Sequence, residues 1–388
     1  MATYLDHAAS TPARPEAVDA MLPYLREEYG NPSGAHGAAR RARRAIDDAR
    51  ELVAESLGAD PSGVVFTSGG TEADNLAVLG VHDRHGETIV AGATEHHAVL
   101  DCVAARSGVF VGVNELGVID LDQLATVLTE LSGRGQKVSL VSVMTVNNEV
   151  GTIQPVREVA RVVRELAPEA FVHTDAVQAV PWLDLSWLGH EVDLISISAH
   201  KFGGPKGVGA LVCRPGVDLA ARQLGGGQER ERRSGTQNVA GIVGMATALS
   251  IAQAERQATV ERVGKLRDRL ADGLVAAVPD ALETGIERRA DGPDRSGTVA
   301  GICHFCFPGI ESEALLYLMD KREVFASAAS SCASGAMDPS HVLAAMGTPR
   351  EIAVGSVRLS LGWTSTDADV DAALEVIPAA VERLRVFS

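Results

Sequence analysis

A strand that ends in a histidine and a lysine constrains the fold of this chain more than any other feature. Residues 194–198 read Leu-Ile-Ser-Ile-Ser, His200 and Lys201 follow after one alanine, and a Gly-Gly-Pro turn comes next. This pattern predicts a short buried strand that delivers both side chains into a loop at its carboxyl end. Ligands of open α/β sheets bind beyond the carboxyl ends of the strands, so Lys201 is placed for chemistry.

A second predicted strand begins at Phe171 and ends on Asp175, with Gln178 three residues further on. A strand that ends in an acid and a strand that ends in a lysine together meet the needs of a pyridoxal 5'-phosphate (PLP) site. The lysine binds the cofactor as a Schiff base, and the acid keeps the pyridine nitrogen protonated so that the ring accepts electrons. The alternative is a core acid and a surface lysine, and this pair alone leaves both interpretations open.

Length, composition and charge restrict the kind of protein that this chain can form. A chain of 388 residues, 46% of them hydrophobic, has material for two domains in one unit. The net charge of −16 opposes general binding to nucleic acid or to acidic membranes. No signal peptide opens the sequence, no apolar run approaches the roughly 20 residues of a membrane span, and the five cysteines are scattered. We therefore expect a cytoplasmic protein with no direct nucleic-acid binding and no membrane association.

Predicted strands alternate with helical stretches, which indicates an α/β fold with a mostly parallel sheet flanked by helices. Apolar periodicity later in the chain predicts two helices, over residues 239–255 and 260–278. We place a large domain at residues 13–255 and a smaller α+β C-terminal domain at residues 256–388, joined by the N-terminal segment 1–12.

A glycine turn follows the strand predicted at Val64–Thr67 and opens a helix at Gly70 and Thr71. Free backbone N–H groups and the positive end of the helix dipole meet at such a point, which suits a phosphate group. The glycine spacing matches neither a dinucleotide fingerprint nor a Walker loop, so neither of those ligands is indicated. A tight capped turn without a ligand is the alternative.

Two further motifs contain residues that bind metals or react in other proteins. His96 and His97 are adjacent, so their side chains diverge, and no third ligand stands at helical spacing. We expect no metal there, and an aromatic lid over a planar cofactor fits one of the two histidines better. Cys303 and Cys306 lie in a predicted strand, where positions i and i+3 face opposite ways, so we expect packing rather than redox chemistry or metal binding.

Cys332 and Arg358 are candidates for reaction and binding. Residues 327–336 contain only Ser, Ala, Cys and Gly, so we expect an exposed, mobile loop with an accessible Cys332 thiol. Beside a PLP site such a thiol is a candidate nucleophile, and the alternative is a small exposed residue without a role. Arg358 is the lone arginine of a predicted strand, a position that suits bidentate binding of a carboxylate.

Eight short motifs occur in the order seen in one known family. They are Tyr4-Leu-Asp-His-Ala-Ala, Gly30-Asn-Pro-Ser, Thr67-Ser-Gly-Gly-Thr-Glu, Thr94-Glu-His-His, Val146-Asn-Asn-Glu-Val-Gly, His173-Thr-Asp-Ala-Val-Gln, Ser198-Ala-His-Lys and Arg233-Ser-Gly-Thr. With them the chain resembles cysteine desulfurases of the NifS/IscS type, which belong to the class V aminotransferase group of fold-type I PLP enzymes. The resemblance covers essentially the whole chain.

The resemblance implies a role for each candidate residue. Lys201 would be the Schiff-base lysine, His96 would stack on the PLP ring and act as acid/base for the substrate thiol, and Cys332 would take the sulfur of L-cysteine as a persulfide while alanine leaves. Asp175 would contact the pyridine nitrogen and Gln178 the ring hydroxyl. The phosphate would be bound by Gly70, Thr71, Ser198 and His200, and by Thr236 from the other subunit of a homodimer. Asn148 would contact both cofactor and substrate, and Arg358 and Asn31 would bind the substrate carboxylate.

The sulfur acceptor is not implied by the motifs. We expect a protein acceptor, either in iron–sulfur cluster assembly or in a dedicated pathway that thiolates tRNA, DNA or a natural product. Housekeeping IscS enzymes carry a further tail that helps to dock the iron–sulfur scaffold, whereas this sequence ends at Ser388. A selenocysteine lyase or another class V enzyme could share every PLP residue, and a non-catalytic sulfur-relay scaffold is the alternative outside enzymes.

Overall fold

The strands that end at Asp175 and Ser198 are neighbours in a seven-stranded sheet. The computed structural model describes residues 2–328 and 340–386 of the chain. Its strands, numbered along the chain, are β1 (Thr3–Tyr4), β2 (Val64–Thr67), β3 (Thr88–Gly92), β4 (Val109–Val111), β5 (Val138–Ser142), β6 (Phe171–Asp175), β7 (Leu194–Ser198), β8 (Gly209–Cys213), β9 (Leu282–Glu283), β10 (Glu287–Arg289), β11 (Gly292–Asp294), β12 (Ile302–Cys306), β13 (Val324–Phe325) and β14 (Ser356–Ser360).

The helices cover both faces of this sheet. They are α1 (Pro15–Arg26), α2 (Gly37–Ser56), α3 (Gly70–His85), α4 (His97–Ala104), α5 (Leu121–Gly133), α6 (Val156–Leu166), α7 (Leu188–Glu191), α8 (Val239–Ala277), α9 (Ser312–Asp320), α10 (His341–Ala345), α11 (Arg350–Ala353) and α12 (Asp367–Val386). Within the described ranges, no helix is both long enough and apolar enough to cross a membrane.

The large sheet has the strand order β2-β8-β7-β6-β5-β3-β4. Its pairs are parallel, except that β8 runs antiparallel to both β2 and β7. Every residue of β5, β7 and β8 is buried, which agrees with sequences made only of apolar residues and of small residues such as serine and glycine. The carboxyl ends of β5, β6 and β7 consequently meet at one edge of the sheet. The predicted α/β fold class with a mostly parallel sheet is confirmed.

The N-terminal segment packs onto a second, antiparallel sheet of order β14-β12-β9. Strand β1 pairs in parallel with β13, and Asp6 forms a bridge to Ser360 at the end of β14. Cys303 and Cys306 lie on the fully buried strand β12, so the prediction of a packed strand is confirmed. The first residues of the chain therefore lie against residues more than 300 positions away.

A buried ion pair anchors the polar loop that follows β8. Two nitrogens of Arg50, on α2, donate to the two carboxylate oxygens of Glu229 at 2.9 Å each. The same carboxylate accepts the backbone N–H of Phe66, on β2, at 2.9 Å. Glu229, Arg230 and Glu231 all have positive φ, at 48°, 56° and 65°, which is costly for residues other than glycine. The ion pair and the hydrogen bond from β2 hold the loop in this conformation.

Helix α8 corrects the sequence analysis, because the two helices predicted over 239–255 and 260–278 are one helix of 39 residues. Its first half packs against α1 and α2 and its second half against α12. No residue from 253 to 262 is buried, so the apolar periodicity lapses there although the segment contains neither glycine nor proline. The predicted domain boundary at residues 255–256 falls inside this helix, and the division into two domains stays a prediction.

We expect the middle of α8 to respond to glycine as a helix interior does. Ala258 is exposed on the helix, so Ala258→Gly should lower the free energy of unfolding by about 1 kcal/mol through backbone entropy alone. Ala290 is exposed in the turn between β10 and β11, and Ala290→Gly is the matched control with a smaller effect. Urea unfolding of both variants measures the difference, and equal losses would contradict a continuous helix.

Candidate active site

The carboxyl ends of β6 and β7 open into a cavity of about 400 Å³, a volume that suits a small molecule. Most of the candidate residues from the sequence line it: Gly70, Thr71, His96, Asn148, Asp175, Gln178, Ser198, His200, Lys201 and Arg358. Most of them lie at strand ends of the same sheet edge or on loops and helix starts beside it, and Arg358 reaches the cavity from β14 of a second sheet.

Lys201 lies one short turn beyond the end of β7. Its Nζ donates to the backbone carbonyls of Ala8 at 2.5 Å and of Ala9 at 3.1 Å. Burial is the main cause that lowers the pKa of Lys201 to about 8, with the positive charge of Arg358 acting in the same direction and the carboxylates of Asp175 and Asp6 opposing it. A substantial fraction of this amine is therefore neutral near physiological pH, as a nucleophile or base requires.

Asp175 is the last residue of β6 and is 6% exposed. One carboxylate oxygen accepts the backbone N–H of Val177 at 2.8 Å, which fixes the orientation of the group. Burial raises the pKa of Asp175, which increases the affinity of this carboxylate for a proton or a cationic N–H. Gln178 follows in the next turn, and its buried Oε1 has no hydrogen-bond partner among the described residues.

His96 lines the cavity from the start of α4. Its Nδ1 accepts the backbone N–H of Ala98 at 3.1 Å, and burial lowers its pKa. The imidazole is therefore neutral with its proton on Nε2. His97 lies outside the cavity, with its Nδ1 3.2 Å from Asp101 and its ring edge-on to His341. The two adjacent histidines diverge, as the sequence analysis expects.

The N-terminus of α3 lines the cavity with groups of the kind that bind anions. Gly69 precedes the helix with φ 157° and ψ −174°, a conformation essentially confined to glycine, and it offers no side chain to cap the helix. A Cβ on Gly70 would lie 2.9 Å from Val177 Cγ2, so the close approach of the helix requires glycine there. Thr71 and Ser198 add hydroxyl groups to the free backbone N–H groups.

Arg358, on β14, presents part of its guanidinium group to the cavity. Its Nη1 donates to the carbonyl of Asn148 at 2.8 Å, and its Nη2 donates to Asp6 at 2.8 Å. Its buried Nε has no partner in the described part of the chain. This arrangement fixes the guanidinium plane and leaves donor capacity for a ligand carboxylate. The sequence analysis quoted Asp6 within a motif but gave it no role.

Asn31 and Thr236 do not line this cavity, and both are exposed. Their neighbours Pro32, Ser33 and Gln237 border a separate surface depression together with the loop that Glu229 anchors. Cys332 lies outside the described residues. Nothing in this single chain tests the predicted roles of these three residues.

Sequence reasoning missed several polar residues behind the cavity. Asp74, on the first turns of α3, is 1% exposed, lines the cavity, and has an Oδ1 without a hydrogen-bond partner among the described residues. Glu95 and His173 are equally buried. The available signal was the presence of titratable residues inside otherwise apolar buried segments, which is uncommon unless they are paired or functional.

Comparisons with known proteins agree with this geometry. The family model described as aminotransferase class-V matches residues 3–373. An IscS-like cysteine desulfurase of Mycobacterium tuberculosis is 47% identical over 98% of this chain and 97% of its own length, and a cysteine desulfurase IscS of Methanosarcina thermophila is 40% identical over 100% and 94%. A solved NifS-like protein superimposes with a TM-score of 0.89 at 37% identity, covering 99% of this chain and 100% of that one.

We expect the unusual environment of Lys201 to be measurable without any ligand. In the cofactor-free protein, labelling of Lys201 by a small amine-reactive reagent should have its midpoint near pH 8. Asp175→Asn should move the midpoint down, because the carboxylate favours the charged amine, and Arg358→Gln should move it up, because the guanidinium opposes that charge. Mass spectrometry of the Lys201 peptide measures both shifts, and a wild-type midpoint near 10.5 would contradict the assignment.

Proposed function

Because the chain belongs to the class-V aminotransferase family, whose members depend on PLP, and is an IscS-like cysteine desulfurase, we propose that PLP binds at Lys201 and that L-cysteine is converted to L-alanine in this cavity. The observation that carries the proposal is the convergence of Lys201, Asp175, His96 and Arg358 on one cavity. The family, the fold class and the activity predicted from the sequence are confirmed by the full-length relatives.

The residues of the cavity fit PLP group by group. The N-terminus of α3 beside Gly70 suits the phosphate, and the carboxylate of the buried Asp175 suits a protonated pyridine nitrogen, because little water competes for that charge pair. One buried oxygen of the cavity lining, Gln178 Oε1, has no hydrogen-bond partner among the described residues. Buried polar atoms are almost always hydrogen-bonded, so a polar ligand at this place completes the set.

Each residue then has a definite task in the reaction. Bound PLP withdraws electron density from the substrate Cα–H bond. Lys201 takes up the Cα proton, since burial keeps part of its amine neutral. Arg358 binds the substrate carboxylate through the donors that Asp6 and Asn148 leave available. His96, with its proton on Nε2, donates a hydrogen bond to the substrate sulfur and orients it.

Sulfur transfer is assigned to Cys332. Its thiolate attacks the substrate sulfur, so that an S–S bond forms as the C–S bond breaks. The carbon that loses sulfur takes up a proton, alanine leaves, and Cys332 carries the transferred sulfur as a persulfide. This capture separates the breaking of the C–S bond from the later delivery of sulfur to a protein acceptor.

The remaining cysteines support this assignment. Cys102, Cys213, Cys303 and Cys306 are all buried. Burial raises the pKa of each thiol, to about 11 for Cys102 and to about 12 for Cys213 and Cys306. The nucleophile is the thiolate, so these four groups are unreactive at neutral pH.

A second subunit completes the proposed site. Thr236 and Asn31 are exposed and lie outside the cavity of their own chain, on loops whose neighbouring residues border one surface depression. We assign Thr236 to the phosphate in the cavity of the partner of a homodimer, and Asn31 to the substrate carboxylate. The buried pair of Arg50 and Glu229 holds the loop of Thr236 in the conformation from which it projects.

Lys201→Ala should remove both cysteine turnover and the visible absorption of bound PLP, because among the described residues no other lysine lines the cavity. Lys206, exposed beyond the Gly-Gly-Pro turn, gives the matched control, and Lys206→Ala should keep the absorption band. The measurement is the visible spectrum of the purified proteins together with alanine formation. Loss of the band in Lys206→Ala alone would mean that the wrong lysine is assigned.

Cys332→Ala should separate cofactor binding from sulfur transfer. The variant should keep its fold and the PLP absorption band, whereas alanine formation should fall at least ~100-fold, a loss typical of removing a nucleophile. Cys303→Ala is the control for loss of a buried thiol. Alanine assays and mass spectrometry for one added sulfur on the Cys332 peptide measure the effect, and near-normal turnover by Cys332→Ala would overturn the assignment.

A further inference from the structure

Three carboxyl groups are buried in or behind the wall of the cavity, and only Asp175 has a role so far. Asp74, Glu95 and Asp175 are 1%, 1% and 6% exposed. Within the described ranges neither Asp74 nor Glu95 forms an ion pair with lysine or arginine, and the only cationic candidate is His173, whose Nε2 is 3.6 Å from Asp74 Oδ1. Buried carboxylates without nearby cations repel one another strongly. The charge behind the cavity therefore depends on how many of these three carboxyl groups are protonated.

A series of hydrogen bonds joins Glu95 to three neighbouring strands in the interior of the large sheet. Glu95 Oε2 is 3.2 Å from Ser142 Oγ, at the end of β5, and Ser142 Oγ is 2.8 Å from His173 Nδ1, on β6. The other ring nitrogen, His173 Nε2, is 3.0 Å from Ser196 Oγ, on β7. These hydrogen bonds thus cross three adjacent strands, and the last of them lies beside Asp74.

Only two proton patterns use every one of these contacts. Burial lowers the pKa of His173 to about 3, so the ring is neutral and carries one N–H. In the first pattern Glu95 is ionised, Ser142 donates to Glu95, and His173 carries its proton on Nδ1. In the second pattern Glu95 is neutral and donates to Ser142, Ser142 donates to His173 Nδ1, and the proton of the ring is on Nε2.

The surroundings favour the second pattern. The other oxygen of Glu95 accepts the backbone N–H of Met144 at 2.5 Å in either case, so no bond is lost when Glu95 is neutral. In the second pattern the N–H of His173 Nε2 lies near Asp74 Oδ1, 3.6 Å away, an oxygen that has no hydrogen-bond partner among the described residues. In the first pattern a lone pair of Nε2 would face that oxygen instead. Burial also raises the pKa of Glu95 to about 8.

We propose that Glu95 is a neutral acid at the head of a one-way hydrogen-bond chain through Ser142 and His173 to Ser196. It acts as a positioning residue that fixes the tautomer of His173 and adds no negative charge behind the cavity. The consequence for the reaction rests on the function proposed above: with Glu95 neutral, Asp175 remains the carboxylate that holds the pyridine nitrogen of PLP. The same carboxyl group ties the turn that carries His96 to strand β5 and its continuation at Met144.

The tautomer of His173 is the direct test, and it needs no cofactor. Cofactor-free protein labelled with [15N]histidine should show His173 protonated on Nε2, with the signal assigned by its loss in His173→Gln. Glu95→Gln should give the same tautomer, because its amide N–H₂ donates to Ser142 as the acid does. Observation of the Nδ1–H tautomer in the wild type would overturn the proposal.

The pH dependence of stability gives a second test. The titratable groups that face Glu95 are Asp74 on α3, Asp175 and His173 on β6, His96 at the N-terminus of α4, and His341 at the start of α10. A pKa raised from 4.5 to about 8 means that the folded wild type loses relative stability as the pH rises through this interval, whereas glutamine cannot.

The midpoint temperature of cofactor-free Glu95→Gln, relative to wild type, should therefore rise by roughly 4 °C or more between pH 5 and 8. The exposed Glu51, on α2, is the matched control, and Glu51→Gln should give a flat difference. A flat difference for Glu95→Gln would show that Glu95 is ionised and would overturn the proposal. Neither measurement involves PLP, so a failure of the proposed cofactor site would leave both results interpretable.

Discussion

Burial of titratable groups in one shared cavity is the physical condition on which the site depends. The same loss of hydration lowers the pKa of the Lys201 amine and raises the pKa of the Asp175 carboxyl, because it penalises the charged form of each. For Lys201 the lower pKa leaves part of the amine neutral, as a base requires, and for Asp175 the lack of competing water strengthens the attraction of a cationic N–H group. The seven-stranded sheet makes this possible by ending β6 and β7 side by side under a cover of helices and loops.

The arrangement is stabilised by contacts whose members are far apart in sequence. Arg358 is held by Asp6 and by the carbonyl of Asn148, so three segments of the chain fix one guanidinium group. Lys201 is held by carbonyls of residues 8 and 9. Each contact satisfies a buried donor that would otherwise cost energy, and each also places a group for the reaction.

The sequence predicted those features of the structure that depend on residues close together in the chain, such as strand and turn positions. The bounds of β2 and β7 are those expected, because each strand is a short run rich in β-branched residues that a turn closes. The lining residues at strand ends were likewise recognisable. The continuity of α8 was not, because its exposed middle segment lacks the apolar repeat from which a helix is inferred. The partners of Arg358 and the contacts of Glu95 and His173 could not be predicted, since they depend on which strands become neighbours.

The pairing of the two ends of the chain determines when the cavity can form during synthesis. Strand β1 pairs with β13, and Asp6 accepts a hydrogen bond from Arg358 on β14, which lies about 350 residues later in the chain. The large sheet, by contrast, is complete once β8 has left the ribosome. The nascent chain therefore carries a sheet with an unfinished pocket until nearly its last helix emerges, and a ribosome-bound intermediate of this kind has Lys201 without the support of the second sheet.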